Sequence, residues 1–154
     1  MVKRLKRSVS ISNISVKLFE TKEELRKGFE VLKQLRTHLN EESFFTLYEE
    51  MKQQGYQLFG LEDQGVTVAV AGISILTNFY NGRHVFVYDL VTDESKRSNG
   101  YGKKLLDFIS DFGKRNGCQL VTLQSGVQRI NAHRFYENKM EYKKLSYSFS
   151  KDIE

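Results

Sequence analysis

Apolar residues recur along this chain in two rhythms, one with a period near 3.6 and one with a period of two, and the rhythms take turns from end to end. Residues 16–20 alternate and predict a short strand. Thr21-Lys22-Glu23-Glu24 places a carboxylate three residues after a hydroxyl, the capping box that opens a helix. Leu25, Phe29, Leu32 and Leu35 carry that helix to about Arg36. Asn40 can cap a second helix with the apolar face Phe44, Leu47, Tyr48 and Met51, stopping at Gly55. Residues 56–61 and 66–76 read as strands joined through Glu62-Asp63-Gln64-Gly65, and a turn at Asn81-Gly82 leads into a long strand over 84–92. Helical spacing returns at Tyr101, Leu105, Phe108, Ile109 and Phe112, with Gly117 as the C-terminal stop. Residues 119–123 predict a strand, 129–139 a helix, and 142–150 the closing strands.

The alternating order of strands and helices predicts an α/β (α+β) domain, and composition agrees. The chain has 154 residues, 40% hydrophobic and 28% charged, which suits one globular domain with a single core. No apolar run reaches membrane-spanning length, so no membrane partner is expected. Four of the charges behind the net +5 come from Lys3, Arg4, Lys6 and Arg7, which leaves the remainder nearly neutral. Residues 1–13 therefore read as a basic, solvated arm and residues 14–154 as the domain. The arm could touch nucleic acid or anionic lipid, but a mobile terminus is the simpler reading, and nucleic acid is not expected as a partner. The basic start is not followed by a continuous apolar stretch, since serines interrupt residues 8–15. This argues against a secretory signal and for a cytoplasmic location. The single cysteine, Cys118, cannot form an internal disulfide and reads as a structural thiol. No His/Cys cluster has metal-ligand spacing, so no metal is expected.

The chemistry begins where the long strand ends. Arg97-Ser98-Asn99-Gly100-Tyr101-Gly102 links it to the helix that starts near Gly100. A strand, a glycine-bearing turn and a helix N-terminus gather free backbone N–H groups and a positive dipole end at one point, which suits a pyrophosphate. Lys96, Lys103 and Lys104 add positive charge. The segment is not an NTPase phosphate loop, because Gly102-Lys103-Lys104 lacks the hydroxyl residue and the upstream glycine. It is not a dinucleotide fingerprint either, because Leu105 stands where a third glycine is needed. It does match Arg/Gln-x-x-Gly-x-Gly/Ala. About thirty residues downstream, Asn131-Ala132-His133-Arg134-Phe135-Tyr136-Glu137-Asn138-Lys139-Met140-Glu141-Tyr142 matches a second pattern, Ala-x-x-Phe/Leu-Tyr-Glu-Lys/Asn-x-Gly-Phe/Tyr, except that Met140 replaces the glycine.

In these two ordered motifs the chain resembles the GNAT family of N-acetyltransferases over about residues 14–154. The resemblance implies a mixed central sheet of about seven strands flanked by four helices, with a splay between the fourth and fifth strands. It implies acetyl-coenzyme A as cosubstrate and a primary amine, expected to belong to a small molecule, as acceptor. The cofactor would be held by Arg97, Ser98, Asn99, Gly100, Tyr101, Gly102 and Lys103, with Asn131 from the second motif and the main chain of Leu90 and Val91 in the splay. The resemblance makes Tyr136 the candidate general acid for the leaving thiolate; as a residue pattern alone, Phe135-Tyr136 could equally be a core aromatic pair. Asp89, on the strand beside Leu90, is the candidate base, with a salt-bridged structural role as the alternative reading. Strict alternation would put it on one face with Val85, Val87 and Val91. His133 reads as solvent-facing, and His38 and His84 as non-catalytic. The acceptor would be lined by residues 36–45 and 144–147. A homodimer is compatible with such a domain. The competing function is a coenzyme-A-binding or nucleic-acid-associated module with little catalysis, using the basic arm.

Overall fold

The computed structural model describes residues 13–154. The basic-arm reading for the start of the chain lies outside the described residues. Strand β1 (Ile14–Phe19) is followed by helices α1 (Lys22–Leu32) and α2 (Glu41–Gln53), strands β2 (Gln57–Asp63), β3 (Val66–Asn78) and β4 (Gly82–Thr92), helix α3 (Tyr101–Arg115), the short strand β5 (Val121–Leu123) and helix α4 (Ile130–Arg134). Both sequence-predicted caps form. Thr21 and Glu24 exchange side-chain and backbone hydrogen bonds at the start of α1, and Asn40 and Ser43 do the same for α2. The β2–β3 turn places Gln64 and Gly65 at positive φ, as a tight hairpin requires.

The five strands lie in one sheet in sequence order, antiparallel from β1 to β4, with β5 parallel to β4. Two apolar layers sandwich it. Helices α1 and α2 cover one face through Leu25, Phe29, Phe44 and Tyr48, packed on Phe19, Leu58, Val70 and Val91. Helix α3 covers the other through Tyr101, Leu105, Leu106 and Ile109, on Phe59, Leu61, Ala71, Ile73, Val85 and Val87.

Three expectations need correction. The described residues form five strands rather than about seven, because residues 142–150 run without strand pairing. Tyr142 donates its N–H to the Tyr136 carbonyl, and the Lys144 ammonium meets Glu137 at 3.1 Å, but no sheet receives the segment. The helix expected over 129–139 is α-helical only to Arg134 and then widens into a π-turn, Phe135–Lys139, closed by Met140 N–H to the Phe135 carbonyl. A π-turn accommodates one residue more than an α-turn. The left-handed residue that ends the helix is accordingly Glu141, at φ 61°, while Met140 stays right-handed and needs no glycine.

The third correction is on β4. Gly72 pairs with Asp89, but Ile73 pairs with Val87, so Tyr88 is an extra residue, a β-bulge. Because side chains alternate with period two, one inserted residue flips everything beyond it. Val85 and Val87 face α3, whereas Tyr88 and Val91 join the core beneath α1 and α2. Asp89 therefore lies on the face opposite Val85 and Val87.

Candidate active site

The loop after β4 is shaped by its own polar groups. Asp93 accepts from both the N–H and the hydroxyl of Ser95, opening a single 3-10 turn, Glu94–Lys96. The Asn99 side-chain amide donates to the Lys96 carbonyl at 2.8 Å. Ser98 (φ 68°) and Gly100 (φ 76°) are both left-handed, which turns successive N–H groups toward one side. No side chain caps α3, and its backbone ladder starts with Lys104 N–H to the Gly100 carbonyl. The N–H groups from Ser98 to Lys103 find no acceptor among the described residues. This is an exposed cluster of donors with the positive end of a 15-residue helix behind it.

The side chains of the loop divide. Arg97 and Ser98 are exposed, and Asn99 is occupied in holding the turn. The Tyr101 ring turns inward, its hydroxyl bonded to Asp63, so only its N–H faces the loop. The Lys103 ammonium pairs with Asp107 at 2.6 Å along the helix surface. Asn131 is exposed in the first turn of α4. The two sequence motifs nevertheless meet in space: a Cβ on Gly102 would lie 3.3 Å from the ring of Phe135.

Strands β4 and β5 pair only from Val85 to Val87, against Val121 to Leu123. Beyond that point they separate, and Tyr88, Leu90 and Gln124–Gly126 line a cavity of about 240 Å³. Leu35 and Arg36, at the end of α1, close it on one side of the sheet; Gln128, Arg129 and Tyr136 close it on the other. The cavity is thus a slot between the two helical layers.

Behind one wall of the slot, formed by Arg36 and Tyr88, lies a saturated hydrogen-bond network. Asp89 accepts from Arg36 Nε at 2.9 Å through one oxygen and from the Tyr56 hydroxyl at 2.8 Å through the other. Arg36 Nη2 also donates to the carbonyl of Tyr88, the bulged residue, at 2.9 Å. Burial and the neighbouring Asp89 charge push the Tyr56 phenol well above its ordinary value, so it remains a donor. The arrangement depends on Gly72, because a Cβ there would fall 1.7 Å from the Tyr56 hydroxyl. The sequence offers a salt bridge as one role for Asp89 but does not name its partners. Arg36 stands in the sequence only at the edge of the expected acceptor-lining connection, and Tyr56 and Gly72 carry no sequence signal beyond strand residues.

The opposite wall is open. Tyr136 is 9% exposed, and burial raises its phenol above the usual value, with Arg129 opposing the shift. Its hydroxyl makes no hydrogen bond among the described residues. Beside it, the buried hydroxyls of Ser125 and Tyr142 also lack partners. His133 is half-buried rather than solvent-facing, with Nε2 2.9 Å from the Gly126 carbonyl, which ties the slot's loop to α4. His84 is buried against the Gly82 carbonyl, away from the slot. Residues 144–147 lie outside the slot lining, and the described residues hold no cluster of metal-ligating side chains.

A sheet that parts beside a loop of free N–H groups, with a tyrosine at the gap, defines an acyltransferase architecture. Comparison with known proteins agrees. Residues 20–142 match the Acetyltransferase (GNAT) family, and the chain belongs to that family. It is 37% identical over 141 residues to an uncharacterized N-acetyltransferase, YhdJ, of Bacillus subtilis (strain 168), covering 91% of this chain and 99% of that protein. It is 30% identical over 132 residues to a glucosamine 6-phosphate N-acetyltransferase of Arabidopsis thaliana, covering 80% and 83%. Its fold matches an aminoglycoside N-acetyltransferase solved with coenzyme A, with a TM-score of 0.79 at 19% identity over 92% of this chain and 95% of that one. The chain is an enzyme, an acetyl-CoA-dependent N-acetyltransferase. No helix among the described residues is long and apolar enough to cross a membrane.

Proposed function

We propose that this enzyme transfers the acetyl group of acetyl-coenzyme A directly to a primary amine of a small molecule, with the reaction taking place in the slot between β4 and β5. The observation that carries this reading is the slot itself, which opens at Leu90, a few residues before the donor loop, and is lined by Arg36 on one side and Tyr136 on the other. The loop's free N–H groups suit a pyrophosphate, and the unpaired β4 edge at Leu90 and Val91 suits an extended amide-bearing arm. An N–H there could polarise the thioester carbonyl. Tyr136 lines the slot and would hold a proton for the departing thiolate; its raised pKa supports this reading, since the phenol stays protonated at neutral pH.

Asp89 fits the structural alternative better than the base. Both of its oxygens are already engaged, one by the Arg36 guanidinium and the other by the Tyr56 hydroxyl. We assign it to bracing the bulge, so the acceptor's proton leaves through water. A small-molecule acceptor is supported by the similarity to a glucosamine 6-phosphate N-acetyltransferase, and the fold is shared with an aminoglycoside N-acetyltransferase. The test is thiol release from acetyl-coenzyme A across a panel of amino sugars, aminoglycosides, simple amines and lysine-bearing peptides. Turnover with peptides alone would overturn the small-molecule acceptor, and no amine-dependent thiol release with any class would overturn the reading.

A further inference from the structure

The slot between β4 and β5 carries charge of one sign. Its lining holds two guanidinium groups, Arg36 and Arg129, and no carboxylate; every other lining residue is apolar or neutral. Asp89 lies behind the wall, with both oxygens taken by Arg36 and Tyr56. The two arginines differ in what they have left to give. Arg36 uses Nε on Asp89 and Nη2 on the Tyr88 carbonyl, which leaves Nη1 as a donor on a side chain 41% exposed. Arg129 is half-buried, and its side chain makes neither an ion pair nor a hydrogen bond among the described residues. Its charge reaches the slot, because it opposes the rise in the Tyr136 pKa. A partly buried charge is ordinarily paired, and nothing in the described chain pairs this one.

The coenzyme does not account for that charge. Its phosphates belong with the N–H groups of the donor loop, and the arm that would run along Leu90 and Val91 bears amides and a thioester, all neutral. The remaining occupant of the slot is the acceptor. We propose that the acceptor is an amine that also carries an anionic group, a carboxylate or a phosphate, and that Arg129 receives this group, with Nη1 of Arg36 facing it from the other wall. This inference rests on the acetyl transfer proposed above and names the charge of its acceptor. A guanidinium presents paired N–H donors that match two oxygens of a carboxylate or phosphate at once. A polyamine or an aminoglycoside would bring several ammonium groups into a lining that offers them only guanidinium groups, an arrangement that selects against such acceptors.

The test uses acceptors that differ in charge around a similar amine: ethanolamine against glycine and phosphoethanolamine, and glucosamine against glucosamine 6-phosphate, with spermidine as the polycation. Each is followed by thiol release from acetyl-coenzyme A. An anionic acceptor should exceed its neutral partner by about 10–100-fold in kcat/KM, mostly through KM, and spermidine should be the poorest. Whether glycine or the phosphorylated amines gain tells carboxylate from phosphate. Neutral amines or spermidine performing as well as every anionic partner would overturn the inference and leave acetyl transfer to a small amine standing. No thiol release with any acceptor would overturn that reaction and this inference with it. Arg129→Gln should erase the preference for the anionic acceptor, and Arg129→Lys, which keeps the charge, should retain part of it. Thermal unfolding of both variants should match wild type, since the side chain has no partner to lose. The acetyl-coenzyme A dissociation constant, read by calorimetry, should hold in both. A weakened coenzyme affinity with the acceptor preference intact would assign Arg129 to the coenzyme and overturn the proposal.

Discussion

The two walls of the slot are built on opposite terms. On the α1 side, Tyr56, Asp89, Arg36 and the Tyr88 carbonyl satisfy one another completely, with contacts of 2.8 and 2.9 Å. On the α4 side, the hydroxyls of Ser125 and Tyr142 are buried without a partner, and Tyr136 packs beside Tyr142. Leaving a buried polar group unpaired costs about 1–3 kcal/mol. A wall that carries such groups is kept for the bonds it makes when loaded, whereas a wall with none left over works as a frame. The comparison assigns chemistry to Tyr136 and geometry to Asp89, the reverse of what a carboxylate beside a thioester first suggests.

The largest effect should come from the open wall. Tyr136→Phe keeps the ring, its packing against Phe135 and Tyr142, and most cofactor affinity. It removes a proton donor needed mainly in the transition state, so kcat should fall by roughly 10²–10⁴-fold while the acetyl-coenzyme A dissociation constant stays unchanged. Wild-type turnover in this variant would make the wall's unpaired hydroxyls incidental. The donor loop is the next target. Gly100→Glu puts a carboxylate beside the free N–H groups and an ordinary side chain at φ 76°, where a Cβ is disfavoured although nothing crowds it. Affinity measured by calorimetry should drop about 10–100-fold. Gly100→Asn, which tolerates that conformation, should lose much less.

Asp89 separates frame from chemistry through pH. If it only braces the bulge, kcat/KM should rise with pH as the acceptor amine deprotonates, with no enzyme group limiting the acid side. Turnover should hold at the alkaline end until Tyr136, whose pKa is raised, loses its proton. Asp89→Asn should keep that profile, lower activity less than 10-fold, and reduce stability by about 1–2 kcal/mol, because Arg36 loses its charged partner while remaining partly solvated. A variant that loses roughly 10²-fold or more in kcat at every pH, with stability intact, would restore Asp89 as the base.

How much of this could be read from the sequence depends on how local each feature is. The capping boxes, the hairpin turn and the donor loop are set by residues within a few positions of one another, and they appear as the residue types predict. The bulge at Tyr88 is not local. It sits opposite Gly72, on a different strand, which leaves room for the Tyr56 hydroxyl that bonds Asp89. One inserted residue then inverted the face on which Asp89 was expected. The π-turn is hidden for a similar reason, since its extra residue shows only as Met140 standing in a glycine's place. Residues 142–150 alternate like a strand, yet a strand needs a partner, and none of the described residues pairs with them.

The smallest expected effect is the most direct check on the frame. Tyr56→Phe removes one hydroxyl from a fully buried site and leaves Asp89 with a single donor, Arg36. The ring and its edge contacts with Tyr48 and Tyr88 remain, so no cavity opens. An oxygen left without its donor in a buried network costs about 1–2 kcal/mol, which urea unfolding should report as a lower midpoint at an unchanged slope. The acetyl-coenzyme A dissociation constant should hold, because Tyr56 lies on the frame side and lines neither the loop nor the slot. If the bulge needs both donors, kcat should drift down a few-fold as Leu90 loses its exact placement, and Asp89→Asn combined with Tyr56→Phe should cost less than the two losses added, since both act on one network. Full additivity in that cycle would mean that Tyr56 and Asp89 contribute independently, and the α1 wall would then be a set of separate contacts instead of a brace.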